Sequence, residues 1–205
     1  MRIERVTTSG SQAPGTLTLE NNSWLVGDDA EALVIDPGHD AAAVAAAVAG
    51  RRVSAVVLTH GHWDHVRAAP ALAGIVGSPQ IFLNQADGFL WQASHPRVSF
   101  EALDDGHCFD VAGHRLTAVA TPGHTPGSMC LIAPSLGVVF SGDTLFEGGP
   151  GATRWDYSSF PAIIDSITQR LLTLPDSTSV HTGHGPTTSI GGERIGRADW
   201  IARGW

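Results

Sequence analysis

The chain has 205 residues, 42% of them hydrophobic, with 12 basic and 20 acidic side chains and a formal net charge of −8. That length suits a single domain over 1–205 with one substantial core. The acidic balance and the lack of any basic cluster exclude nucleic acid as a partner, because a phosphate backbone demands a cationic face.

Alternating and apolar runs predict strands over 3–8, 16–20, 22–26 and 32–35, an antiparallel opening that ends at Asp36-Pro37-Gly38. Residues 41–49 are rich in Ala, follow Asp40 as an N-cap and stop at Gly50, which predicts a helix. A strand over 53–58 comes next, and 64–69 reads as a loop. A helix follows from Pro70 to 76, since proline suits a first helical turn. Further strands are predicted over 80–83, 115–120, 129–133 and 138–141. The apolar spacing Ile163, Ile164, Ile167, Leu171, Leu174 predicts a last long helix that stops at Pro175, and 180–182 a last short strand. Strands outnumber helices, and the two types mix.

No segment approaches the roughly 20 apolar residues that span a bilayer, and residues 1–10 lack an apolar signal core. The expectation is a cytoplasmic protein without a membrane partner. Cys108 and Cys130 are no disulfide framework and read as buried free thiols. All 12 basic residues are Arg, which excludes any mechanism that needs a lysine. Oligomeric state is not legible; Trp200 and Trp205 could cover the core or a partner.

The chemistry concentrates in Thr59-His60-Gly61-His62-Trp63-Asp64-His65, directly after the strand over 53–58. Extended backbone sends side chains two apart to the same side, so His60 and His62 can reach one ion. Asp64 and His65 then turn toward a second. Three further donors follow strands in Gly-rich turns: His124 in Thr121-Pro122-Gly123-His124, Asp143 in Ser141-Gly142-Asp143, and His184 in Thr182-Gly183-His184. The seven divide into His60, His62 and His124 for one ion and Asp64, His65 and His184 for the other, with Asp143 bridging. Each ion then keeps room for water, as an open catalytic site requires, whereas a structural zinc site is closed and usually uses cysteine. Two divalent ions, zinc foremost with iron or manganese suited to the same donors, would create a bridging hydroxide at neutral pH. Asp64 is also assigned a catalytic part.

Asp36 is the candidate to accept the free ring N–H of a ligand histidine and fix its tautomer. His39 and His181 lie near site loops and could brace them, while His95, His107 and His114 read as surface or hydrogen-bonding residues. Residues 147–160 form the candidate cleft wall, where Arg154 would clamp a carboxylate and Tyr157 would bond the substrate.

On Val34-Ile35-Asp36-Pro37-Gly38, the histidine cluster, 121–128, 141–146 and 174–186, the chain resembles the metallo-β-lactamase superfamily, and within it the compact glyoxalase II-like hydrolases. The resemblance implies an α+β fold, an αββα sandwich of two mixed β-sheets with helices on the outer faces and the metals at one edge. True β-lactamases of the family lack the bridging aspartate, so Asp143 points to the glyoxalase II-like, lactonase or dioxygenase branches. Glyoxalase II cleaves a glutathione thioester, using a helical C-terminal domain and lysine contacts that have no counterpart here. The leading expectation is therefore hydrolysis of a small-thiol thioester by attack of a metal-bridging hydroxide. A mononuclear iron persulfide dioxygenase, which uses two His and one Asp, comes second and a lactonase third. A catalytically silent metal-binding module is the reading from another class.

Overall fold

Side-chain alternation along the strands sorts this chain into layers. In the computed structural model, which describes residues 1–204, β1 (Arg2–Ser11), β2 (Thr18–Gly27) and β3 (Glu31–Ile35) form the antiparallel opening. Helix α1 (Ala41–Val48) then leads to β4 (Arg52–Val57), which runs parallel to β3. A helical turn α2 (Trp63–Val66), helix α3 (Ala69–Ile75), β5 (Ile81–Leu83), α4 (Gly88–Ser94) and β6 (Glu101–Ala102) complete the first half, and the six strands lie in the order β1-β2-β3-β4-β5-β6.

The second half begins with β7 (Cys108–Val111), β8 (His114–Ala120), β9 (Met129–Ala133) and β10 (Val138–Gly142). A small hairpin of β11 (Leu145–Phe146) and β12 (Gly149–Pro150) and helix α5 (Phe160–Ser166) precede β13 (Ser179–Thr182) and β14 (Thr188–Ser189). Helices α6 (Ile190–Arg194) and α7 (Arg197–Arg203) follow. This sheet has the order β14-β13-β10-β9-β8-β7, with β10 and β13 parallel and its other neighbours antiparallel.

Trp24, Val26, Leu33 and Ile35 point inward from the first sheet and meet Phe109, Leu116, Leu131 and Phe140 of the second. Their neighbours Leu25 and Val34 point outward and pack with Val44, Leu72 and Trp91 of α1, α3 and α4. On the far side Val139 and Val180 pack against Ile163, Ile190 and Trp200 of α5, α6 and α7. The layers are helix, sheet, sheet, helix, and both sheets are mixed, as the resemblance implied. Trp200 is buried and covers the core; Trp205 lies outside the described residues. Among the described residues no helix is long and apolar enough to cross a membrane.

Several expectations are corrected. The strands expected over 16–20 and 22–26 are one, because β1 pairs with β2 along its whole length, through Thr8↔Asn21 and Thr7↔Asn22. The loop expected over 64–69 is instead a helical turn: the His65 and Val66 amides donate to His62 O at 3.0 and 3.1 Å. The last long helix starts at Phe160 behind a Ser159 cap and loosens over Ile167–Leu171, where Leu172 N bonds Ile167 O five residues back. Helices α4, α6 and α7 were not foreseen, being short and Gly-rich or without a clean apolar period. Both thiols are free, yet only Cys130 is buried; Cys108 sits exposed on edge strand β7.

Candidate metal centre

The loops that leave β3, β4, β8, β10 and β13 all emerge along one edge of the sandwich and carry Asp36, the His60 to His65 run, His124, Asp143 and His184 respectively. Hydrogen bonds between the two sheets hold these loops together. Asn22 N donates to Gly183 O at 2.8 Å, Trp24 Nε1 to Thr182 O at 3.0 Å, and Met129 N to Thr59 O at 2.8 Å. Helical turn α2 places Asp64 and His65 about 100° apart around its axis, so both can face the edge.

All seven predicted donors converge. His60 Nε2 and His124 Nε2 each lie 3.0 Å from His62 Nδ1. His65 Nε2 lies 3.2 Å from His184 Nε2 and 3.7 Å from Asp64 Oδ2. Asp143 stands between the groups, with Oδ1 3.3 Å from His65 Nε2 and Oδ2 3.4 Å from both His124 Nε2 and His184 Nε2. Two glycines make this approach possible. A Cβ on Gly142, whose φ is +49°, would stand 2.4 Å from Thr59 Oγ1, and one on Gly183 would stand 2.3 Å from Asp143 Oδ1.

The outer nitrogens decide whether these donors suit metal ions. Each of the five imidazoles has one ring nitrogen facing a protein oxygen: His60 Nδ1 faces Thr59 Oγ1 at 3.1 Å, His62 Nε2 the Tyr157 hydroxyl at 2.9 Å, and His65 Nδ1 Asp36 Oδ2 at 2.9 Å. His124 Nδ1 donates to Ala152 O at 2.7 Å and His184 Nδ1 to Glu20 O at 2.6 Å. Thr59 Oγ1 gives its own proton to Asp36 Oδ2 at 2.6 Å, so it accepts from His60. With the outer nitrogens protonated, the inner ones of His60, His62 and His124 present lone pairs to one another, and Asp143 Oδ1 is buried without a hydrogen-bond partner. Converging lone pairs that lack a proton between them are what a cation would satisfy. The donor set fits two divalent ions, held by His60, His62 and His124 and by Asp64, His65 and His184. Asp36, His60 and His65 also lie close together. That group cannot serve a third ion, because the Asp36 oxygens are taken by Thr59 and His65.

Electrostatics separates the two groups. Burial, with the neighbouring imidazoles adding to it, lowers His60 well below the ordinary histidine range and brings His62 down to about 3. Burial likewise lowers His124, so the three-histidine group is neutral and ready to bind. In the other group burial also opposes charge, but carboxylates outweigh it: Asp143, Asp64 and Asp36 raise His65, and Asp143 with Asp64 raises His184 to about 10. Burial works against the Asp143 and Asp64 charges too, yet His184 and His65 hold both carboxyls well below their usual range.

Beside the centre lies a cleft of about 780 Å³, walled by Leu17, Trp63, Leu90, Phe146, Trp155 and Tyr157. Arg154 lines it as well, its guanidinium 4.9 Å above the Trp155 ring. Tyr157 lines it too and turns its hydroxyl to His62 Nε2. Among the remaining histidines, His39 Nε2 donates to Asn21 Oδ1 at 2.8 Å, and Asn21 Nδ2 donates to Asp64 Oδ2 at 3.2 Å. His181 packs between Trp24 and Phe140, away from the donors.

Sequence reasoning missed Asn21, Trp63 and Asp87. The amide pair Asn21-Asn22, ahead of the apolar run Trp24 to Val26, was a signal for the first. Asp87 lies after β5 in no motif, and only the folded loops reveal it.

The sequence model of the metallo-beta-lactamase superfamily matches residues 18–184. Hydroxyacylglutathione hydrolase GloC of Haemophilus influenzae is 32% identical, over 88% of this chain and 92% of the relative. The crystal structure of TTHA1623 in a di-iron-bound form is 30% identical with a TM-score of 0.79, covering 93% of this chain and 96% of that one. That of the BLEG-1 B3 metallo-beta-lactamase is 27% identical with a TM-score of 0.75, covering 93% and 97%.

Proposed function

The chain belongs to the metallo-β-lactamase superfamily, and from that premise we propose that it is a dinuclear metal hydrolase acting on the thioester of a small thiol. One observation carries the dinuclear reading: Asp143 faces both donor groups, one oxygen toward His65 and the other toward His124 and His184. The Haemophilus influenzae relative, whose name describes hydrolysis of a glutathione thioester, supports the substrate class.

His60, His62 and His124 would hold one ion and Asp64, His65 and His184 the other, with Asp143 between. Divalent ions bound there supply Lewis acidity toward a carbonyl and deprotonate water near neutral pH. The chain's own residues set the rest. Burial keeps the three-histidine group unprotonated. Asn21 donates to Asp64 Oδ2 and fixes it, and Asp64, kept ionised by His65 and His184, lines the cleft. Trp63 and Trp155 narrow the approach to the centre and exclude solvent from the scissile bond. Arg154, at the cleft, would bind a carboxylate on the acyl or thiol part.

The mononuclear dioxygenase reading needs only two histidines and one carboxylate. It would leave the other donors of the same scaffold empty, so one iron per chain together with oxygen uptake would favour it over the hydrolase.

The test is a substrate panel on the full chain loaded with Zn2+, Mn2+ or Fe2+. It would hold S-acyl glutathione, S-acyl esters of simpler thiols, a lactone, a chromogenic cephalosporin and a persulfide followed by oxygen uptake. Thioester turnover releasing one acid per thiol, lost with a chelator, is the expected result. Turnover of the lactone, the cephalosporin or the persulfide without any thioester would overturn the proposal.

A further inference from the structure

His60 and His62 leave a strand of the first sheet and His124 leaves one of the second, so their shared geometry depends on whatever ties those two loops together. Asp87 is fully buried between them. Its Oδ2 accepts the Gly61 N–H and the Thr125 hydroxyl, each at 2.7 Å, and its Oδ1 accepts the Gly127 N–H at 2.7 Å. Gly61 separates His60 from His62, and Thr125 follows His124 directly. We propose that Asp87 is a positioning residue whose carboxylate clasps the two loops and sets the spacing of His60, His62 and His124 for a divalent ion.

Three features make this a specific clasp. All three partners donate, so they fit an ionised carboxylate, which accepts at both oxygens. The hydroxyl's orientation is fixed in turn. Thr125 N donates to Ser128 Oγ at 3.0 Å, and Ser128 Oγ, 2.8 Å from Thr125 Oγ1, leaves the threonine proton free for Asp87. Finally, the two backbone donors are glycines pressed against Asp87. A Cβ on Gly61 would lie 3.0 Å from Asp87 Cβ, and one on Gly127 2.7 Å from its Cγ. The Asp64, His65 and His184 group is braced through other contacts, with Asp36, Asn21 and Glu20 O. The clasp therefore acts on one ion of the two, whatever the substrate.

Cobalt titration of the metal-stripped full chain, read by the visible absorption of bound Co2+ against a competing chelator, tests this. His124→Ala and His184→Ala variants assign each binding step to its group. Asp87→Asn keeps the side chain's size but turns one acceptor into an N–H2 donor facing another donor. The expected result is an affinity about 10–100-fold weaker at the three-histidine step, with the other step unmoved. Thr125→Val, which removes one of the three bonds, should weaken the same step by a smaller factor and serves if Asp87→Asn does not fold. Two unmoved steps in either folded variant would overturn the proposal. So would parallel weakening of both steps with a matching fall in the melting temperature of the metal-free protein, which is the mark of a merely structural residue.

Discussion

The Asp36 carboxylate faces His65 Nδ1 at 2.9 Å while accepting the Thr59 backbone N–H at 2.8 Å and the Thr59 hydroxyl at 2.6 Å. It thereby joins Thr59, at the start of the histidine run, to the ring six residues beyond it. Asp36 sits at φ 47°, in the left-handed region where Asn and Asp are the best tolerated side chains after Gly. Asp36→Asn should therefore fold, but its amide must turn N–H2 toward a donor. The expected outcome is a loss of about 10–100-fold in affinity for the ion held by His65, measured by competition with a chelator. Equal affinity in wild type and variant would show that the tautomer of His65 needs no such support.

This same residue shows what the sequence could reveal. Asp36, the seven donors and the strand before the first cluster were legible because the chemistry lies in short runs at strand ends, where spacing alone fixes direction. Asn21, Asp87 and the Tyr157 to His62 contact were not, because each depends on segments far apart in the sequence meeting at the edge. Secondary structure followed the same division. Alternating strands were visible, while α2 was hidden because a single helical turn has too few residues to show a period.

Arg154 and Tyr157 were both read as substrate contacts, and the structure lets the two be separated. Arg154 stacks on Trp155, whose ring is nearly parallel to Tyr157 with an interplanar angle of 6°. Arg154→Ala should raise KM for a carboxylate-bearing thioester about 10-fold and leave kcat unchanged, and Lys should rescue it poorly, lacking the planar fork. Tyr157→Phe keeps the ring stacking but frees His62 Nε2. It should weaken ion binding at the three-histidine group and lower kcat more than it raises KM. A pure KM effect in Tyr157→Phe would return its hydroxyl to the substrate.

Gly183 tests how closely the bridging carboxylate is packed. A methyl group there would fall 2.3 Å from Asp143 Oδ1 and 2.8 Å from His65 Cε1, so Gly183→Ala must push one of them aside. Elemental analysis should show fewer than two ions per chain in this variant. Gly50→Ala is the contrast, since Gly50 has φ +77° with nothing within 4 Å of an added Cβ. Left-handed strain should cost it about 1 kcal/mol of stability, with full metal content retained. Full occupancy in Gly183→Ala would mean that Asp143 has slack.

Acid stability provides a check away from the ligands. Burial lowers His181 to about 4, with Arg5 adding to the shift, and its ring lies 4.4 Å from Trp24 and 5.2 Å from Phe140 between centroids. A histidine with a folded value below its unfolded value of 6.5 takes up its proton more readily when unfolded. Its stabilising contribution is complete above that value and drains away as pH falls toward 4. His184 works in the opposite sense: raised to about 10 in the metal-free protein, it stabilises fully below 6.5 and loses that contribution as pH rises toward 10. His181 Nδ1 is buried without a hydrogen-bond partner, so His181→Phe removes the acid-sensitive group without orphaning a bond at that nitrogen. Melting curves of metal-stripped wild type and His181→Phe should therefore diverge below pH 6.5, with the variant higher at the acid end, and run parallel above it. A constant offset between the two across the whole range would place the acid lability elsewhere, with His62, lowered to about 3, as the next residue to replace.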